Sequence, residues 1–132
     1  GELVLVVDDE VFIRDITRRI LEAHGYRVLT AREGGEALTL FARHRGAVRA
    51  VLTDLMMPGM DGLTTIRALR EIDPEVRIIV VTGQADDRGE AAAVALDVQA
   101  FLCKPYKVDR LLQTLDDVLR GEVGGEYCRP GR

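Results

Sequence analysis

Three carboxylates, a hydroxyl and an ammonium group stand at the ends of apolar runs in this chain. Asp8 and Asp9 close Leu3-Val-Leu-Val-Val7, Asp54 closes 48–53, Thr82 closes 76–81 and Lys104 closes 100–103. In an open α/β sheet, ligands bind beyond the carboxyl ends of the strands, so residues placed there are site candidates. If the first and third runs are central parallel strands, three acids meet on one rim. Their mutual repulsion then calls for a cation or for protonation. Hard oxygen donors suit Mg²⁺, held by Asp9 and Asp54 together with waters and a backbone carbonyl. A carboxylate can also attack phosphorus and form an acyl phosphate. Such a transfer needs alignment and charge neutralisation, which Lys104 would supply as a point charge and Thr82 as a hydrogen-bond donor.

The elements that must position these groups alternate in type. The run Leu3-Val-Leu-Val-Val7 reads as a strand buried on both faces. It is followed by a helix carrying Ile13, Ile16 and Ile20 at helical spacing and stopped by Gly25. Short strands are predicted over 26–30, 48–53, 76–81 and 100–103. Helices are predicted over 33–44, through Ala37, Leu38 and Phe41, and from Leu63 to the residue before Asp73-Pro74. Two more follow, an alanine-rich helix over 86–96 with acids at its start and a strongly amphipathic one over 108–119. Five strands alternating with five helices predict a single doubly wound α/β domain, a (βα)5 sandwich. Its parallel sheet has right-handed crossovers and the strand order 2-1-3-4-5. The domain is expected over 1–120, with 121–132 as a tail or the root of a linker.

A length of 132 residues suits one domain with an independent core. The net charge of −4 argues against a nucleic-acid-wrapping function, which needs a basic face. Cys103 lies in an apolar run and Cys128 in a polar tail, so no disulfide framework is expected and a reducing, cytoplasmic setting is the simpler reading. No apolar stretch reaches the roughly 18 residues of a membrane span, and the first residues show no signal-peptide pattern. Gly1 in place of an initiator Met is expected of a piece excised from something longer, or of a tag scar.

Four blocks carry a resemblance. Val6-Val7-Asp8-Asp9-Glu10, Asp54-Leu-Met-Met-Pro-Gly-Met-Asp-Gly62, Val81-Thr82 and Lys104-Pro105-Tyr106 resemble, in order and spacing, the motifs of response regulator receiver domains over roughly residues 2–120. The resemblance implies a flavodoxin-like fold and a phosphorylation-dependent two-component switch rather than a turnover enzyme. Asp54 would be the phosphoacceptor, Asp9 a direct Mg²⁺ ligand, Asp8 a ligand through water and Met56 the donor of a backbone carbonyl. Thr82 and Lys104 would grip the phosphoryl group, and Phe101 would be the aromatic switch that turns inward with Thr82. Implied partners are a sensor histidine kinase or histidine phosphotransfer protein, met through Ile13 and Arg14, and a downstream effector. Its state would be a monomer or a phosphorylation-dependent dimer. Phosphorylation would remodel the face made by the fourth helix, fifth strand and fifth helix. Met56 offers no side-chain hydrogen bond to a hydrolytic water, which leaves phosphate lifetime to Gln84 and to access. Asp97 stands where relatives often carry Gly.

Simpler readings stand beside these. Acids at strand ends are often helix caps, Thr82 could be a turn residue and Lys104 an ordinary exposed lysine. Phe101 could simply be core, and Ile13 could join Ile16 and Ile20 there. Asp61, before Gly62, reads as an N-cap without a catalytic role. His24 and His44 fall at helix ends. Two functions of another class are an aspartate-nucleophile phosphohydrolase of small metabolites and an FMN carrier. The first is disfavoured by the adjacency of Asp8 and Asp9, the second by acids where a phosphate would sit. A degenerate receiver acting by protein contact alone is the remaining alternative.

Overall fold

The structure, a computed structural model, describes residues 1–55, 60–82, 96–122 and 124–125. The first run forms β1 (Leu3–Val7), buried along its whole length. It leads into α1 (Val11–Ala23), which is closed by Gly25 in the left-handed region at φ 90°. There follow β2 (Arg27–Ala31), α2 (Gly34–Arg43), β3 (Val48–Asp54), α3 (Gly62–Ile72), β4 (Ile78–Thr82), β5 (Ala100–Cys103), α4 (Val108–Leu119) and β6 (Gly124–Gly125). Asp61 caps α3 as expected, its carboxylate accepting the Thr64 N–H at 2.8 Å. Glu33 caps α2 by accepting the Glu36 N–H.

All the strand pairs are parallel, in the order β2-β1-β3-β4-β5-β6, so the predicted order 2-1-3-4-5 holds for the first five strands. Successive strand residues point to opposite faces, and each face builds its own core. Leu5, Val7, Val51, Ile78, Val80 and Phe101 meet Ala37 and Phe41 of α2 and Ile66 and Leu69 of α3. Val4, Val6, Leu52, Ile79, Val81 and Leu102 meet Leu21 of α1 and Leu111, Leu115 and Val118 of α4. Strands buried on both faces explain why these runs are continuously apolar rather than alternating.

Several boundaries differ from the sequence-based expectation. β2 runs one residue later because the Tyr26 N–H belongs to the end of α1, donating to Leu21 O at 3.1 Å, while Ala31 pairs with Val7. β4 starts at Ile78 because Val76 turns back to donate to Asp73 O at 3.1 Å. The expected helix over 86–96 falls mainly outside the described residues. Part of the expected frayed tail is instead a strand, with Gly124 and Gly125 paired to Ala100 and Phe101. Cys103 is disulfide-bonded, which overturns the expectation of no disulfide and, with it, the cysteine argument for a reducing setting. Local composition was a poor guide, since the chain after α4 returns alongside β5. Cys128, the other cysteine, lies outside the described residues.

Two arginines tie elements together through backbone carbonyls. Arg70 of α3 donates to Leu96 O at 3.0 Å, Asp97 O at 2.8 Å, and Pro74 O and Val76 O at 3.3 Å. Asp97 has φ 56°, a left-handed conformation that aspartate tolerates better than most residues. Arg77 donates to Val118 O and Leu119 O at the end of α4, at 3.1 and 2.7 Å. No helix among the described residues is long and apolar enough to cross a membrane.

Candidate functional site

Parallel register brings the predicted residues to one rim. Val7 pairs with Thr53, Asp54 with Val81 and Thr82 with Cys103, so the carboxyl ends of β1, β3, β4 and β5 finish almost level. Asp8 and Asp54 are both 5% exposed, whereas Asp9 projects into solvent. One carboxylate oxygen from each of the three can be chosen so that all lie within 4.8 Å of one another. Two buried acids this close demand a positive partner. Lys104 provides it, with Nζ 2.7 Å from Asp54 Oδ2, 3.0 Å from Asp8 Oδ2 and 3.4 Å from Glu10 Oε2. Burial by itself would lower the Lys104 ammonium. The hydrogen bonds and charges of Asp54 and Asp8 outweigh that effect and raise it above the usual lysine range, so it stays charged.

Local backbone bonds fix the frame. Asp8 Oδ1 accepts the Glu10 N–H at 2.9 Å, Arg14 Nη1 donates to Asp8 O at 2.7 Å, and the Lys104 N–H donates to Thr82 O at 2.7 Å. Thr82 is 1% exposed, deep in the rim. Phe101 is packed in the core on the α2–α3 face, so its ring is turned inward. Met56, the expected carbonyl donor, and Gln84 lie outside the described residues.

The donor set fits Mg²⁺. It consists of hard carboxylate oxygens, two of them on buried side chains already balanced by a cation, with Asp9 open to water for the remaining coordination. Asp8, Asp9 and Asp54 are the described residues that would hold it. When bound, Mg²⁺ supplies charge neutralisation to a carboxylate and to the oxygens of an incoming phosphoryl group.

Ile13 is not a core residue, and neither is Ile16 at 41% exposed; Thr17 and Leu21 are the buried residues of α1. Ile13 and Ile16, with Pro105, Val108 and the core-packed Ile20 and Tyr106, line a largely apolar groove of about 530 Å³ beside Lys104. Arg14, expected as a partner contact, has its guanidinium on the Asp8 carbonyl.

Residues 4–116 match the family model of the response regulator receiver domain. The chain belongs to that family. This receiver is 37% identical over 117 residues to the response regulator MprA of Mycobacterium sp. (strain KMS), covering 89% of this chain and 50% of that protein. It is also 37% identical over 116 residues to the sensor kinase CckA of Brucella abortus (strain 2308), covering 88% of this chain and 12% of that protein. Thus the receiver spans half or less of these two relatives. A receiver domain structure from Clostridium thermocellum superposes with a TM-score of 0.87 at 28% identity, covering 92% of this chain and 96% of that one.

Sequence reasoning missed three supports of the receiver site. Gly62 packs so closely beneath the Asp54 turn that a Cβ would lie 2.5 Å from Leu55 Cα and 2.6 Å from Asp54 O. Its position just after the cap Asp61 was the available signal. The Arg14 bond to the Asp8 carbonyl and a bond between Thr17 and Tyr106 join elements distant in sequence, and no local pattern announces them.

Proposed function

We propose that this receiver is a phosphorylation-dependent switch in which Asp54 takes a phosphoryl group from a phosphohistidine. The reading is carried by the contact of Lys104 Nζ with both Asp54 and Asp8 inside a three-carboxylate cluster. A carboxylate oxygen of Asp54 attacks phosphorus, the P–N bond breaks and its electron pair returns to the imidazole, leaving an acyl phosphate. Lys104, already on Asp54, follows the charge onto a phosphoryl oxygen. The Thr82 hydroxyl donates to another, and Phe101 packs behind it as the aromatic member of the switch. Asp8, Asp9 and Asp54 would hold Mg²⁺, with the backbone carbonyl of Met56 as the further ligand that the resemblance implies. A switch domain over 1–120 followed by a tail over 121–132, of which Gly124 and Gly125 pair with β5, belongs to the same reading.

The partner is a histidine kinase or phosphotransfer protein on the cytoplasmic side, whose helix seats its apolar residues in the groove between α1 and the segment after β5. Phosphorylation shifts a pre-existing balance, and its effect emerges on the surface of β5 and α4, together with the helix expected over 86–96, for a downstream effector or a second copy.

With Mg²⁺ and beryllofluoride or acetyl phosphate, wild type is expected to shift its amide NMR spectrum around Asp54, Thr82 and Phe101, and Asp54→Ala is not. A folded wild type that shows no shift would reduce the domain to a receiver acting by protein contact alone.

A further inference from the structure

We propose that Thr17 and Tyr106 are positioning residues whose hydroxyl–hydroxyl hydrogen bond clamps the Lys104-Pro105-Tyr106 segment to α1, holding the Lys104 ammonium over Asp8 and Asp54 for phosphoryl transfer. The inference rests on Asp54 being the phosphoacceptor.

The two oxygens lie 2.8 Å apart although their residues are 89 positions apart in sequence. Thr17 is 2% exposed on the core side of α1, and Tyr106 packs against the core face shared by α1 and α4. Burying two hydroxyls costs desolvation that a valine and a phenylalanine of nearly the same shape would avoid. What the polar pair adds over its apolar isosteres is direction: a hydrogen bond fixes the phenol relative to the helix more narrowly than packing does.

That direction matters because of what each partner is attached to. Tyr106 is two residues past Lys104, whose own backbone is held at Thr82 O. Thr17 is one helical turn past Arg14, whose guanidinium binds Asp8 O at 2.7 Å. α1 is therefore a common frame for the acid of β1 through Arg14 and for the cation after β5 through Thr17. An ammonium on a four-carbon stem is aimed well only if its stem is anchored, and misplacement of such a group by even about 1 Å costs rate. Tyr106 also lines the groove beside Lys104, so an occupant of the groove would touch the brace.

The experiment is the initial rate of Asp54 phosphorylation by acetyl phosphate at saturating Mg²⁺, measured in six chains: wild type, Thr17→Val/Tyr106→Phe, Lys104→Ala, the triple variant, and the single variants Thr17→Val and Thr17→Ser. Replacing both hydroxyls by apolar isosteres should leave the unfolding midpoint close to wild type. The rate should fall roughly 3- to 10-fold, as expected for losing one hydrogen bond's worth of alignment. Mg²⁺ affinity, read by calorimetry, should rise no further than it does in Lys104→Ala, since the pair acts on the site only through that ammonium. In the Lys104→Ala background the same pair of substitutions should have no further effect, because the pair acts through Lys104. Thr17→Ser, which keeps the hydroxyl, should retain the wild-type rate and serves as the readout if the double variant does not fold; a Thr17→Ser chain as slow as Thr17→Val would then overturn the proposal. So would a wild-type rate in the folded double variant, or an equal fold-loss with and without Lys104. A folded wild type that acetyl phosphate does not modify removes the Asp54 reading itself, an outcome visible before any variant is compared.

Discussion

Lys104 Nζ bonds Asp54 Oδ2 at 2.7 Å and Asp8 Oδ2 at 3.0 Å, so one ammonium joins the ends of β5, β3 and β1. The same charge that makes the acid pair tolerable without metal competes with a metal for it. Attraction and competition therefore reside in one group, and they can be separated by removing it.

Lys104→Ala is expected to bind Mg²⁺ several-fold more tightly, because a positive charge a few ångströms away no longer repels the ion. It should nevertheless be phosphorylated roughly 100-fold more slowly, having lost a donor aimed at the developing charge. Calorimetry with Mg²⁺ and acetyl phosphate kinetics on the same preparation check both signs. Weaker metal binding in the variant would mean that the lysine organises the acids rather than opposing the ion.

Gly62→Ala should cost about 1–3 kcal/mol, since the new Cβ meets backbone that cannot rotate away and must push the Asp54–Leu55 turn. Phosphorylation should suffer as well, because the displaced turn follows directly on the phosphoacceptor. Urea unfolding and a phosphorylation assay on the folded fraction test this, and an unchanged midpoint would show that the turn yields freely.

Asp61→Ala should lose about 1 kcal/mol of stability at neutral pH through the missing cap of α3. The Thr64 N–H holds the Asp61 carboxyl below the usual aspartate range. A group depressed in the folded state adds stability that is fully present above its unfolded pKa of about 3.9 and disappears as pH falls through the folded value. The gap between wild type and Asp61→Ala is thus expected to be full at pH 7 and to narrow below about pH 4, as followed by denaturation at several pH values.

Arg70→Ala should destabilise by about 2–3 kcal/mol, leaving the Leu96 and Asp97 carbonyls, among others, without their charged donor. Arg70→Lys should recover less than half of that, because an ammonium cannot fan out to carbonyls on three sides as a guanidinium does. Thermal unfolding decides between these values, and full recovery by lysine would show that charge alone matters.

Much of the architecture was legible because strand and helix obey different periods. The β1 run, uniformly apolar, β-branched and short, reads as a doubly covered strand, and α3 announced both ends through Asp61 and Asp73-Pro74. The cluster was legible for a related reason: in a parallel sheet every strand-ending residue shares one rim, so Asp8, Asp54, Thr82 and Lys104 converge once the order is known. What escaped were contacts that depend on how helices lie across the sheet. Ile13 and Ile16 have core-like spacing, yet α1 rolls them toward Tyr106 and buries Thr17 in their place. A polar residue at a core position is invisible to a hydrophobic pattern. The return of the tail to β5 escaped because glycines carry no strand signal of their own.

The pairing of Gly124 and Gly125 with Ala100 and Phe101 also changes what the molecule offers to other chains. A five-stranded version of this sheet would leave the outer N–H and C=O groups of β5 unpaired, a template on which a foreign strand could add. Here two residues without side chains occupy that template at Ala100 and Phe101. Along these positions the margin of the sheet is sealed by the chain itself, and association there must proceed through side-chain surfaces instead of backbone addition.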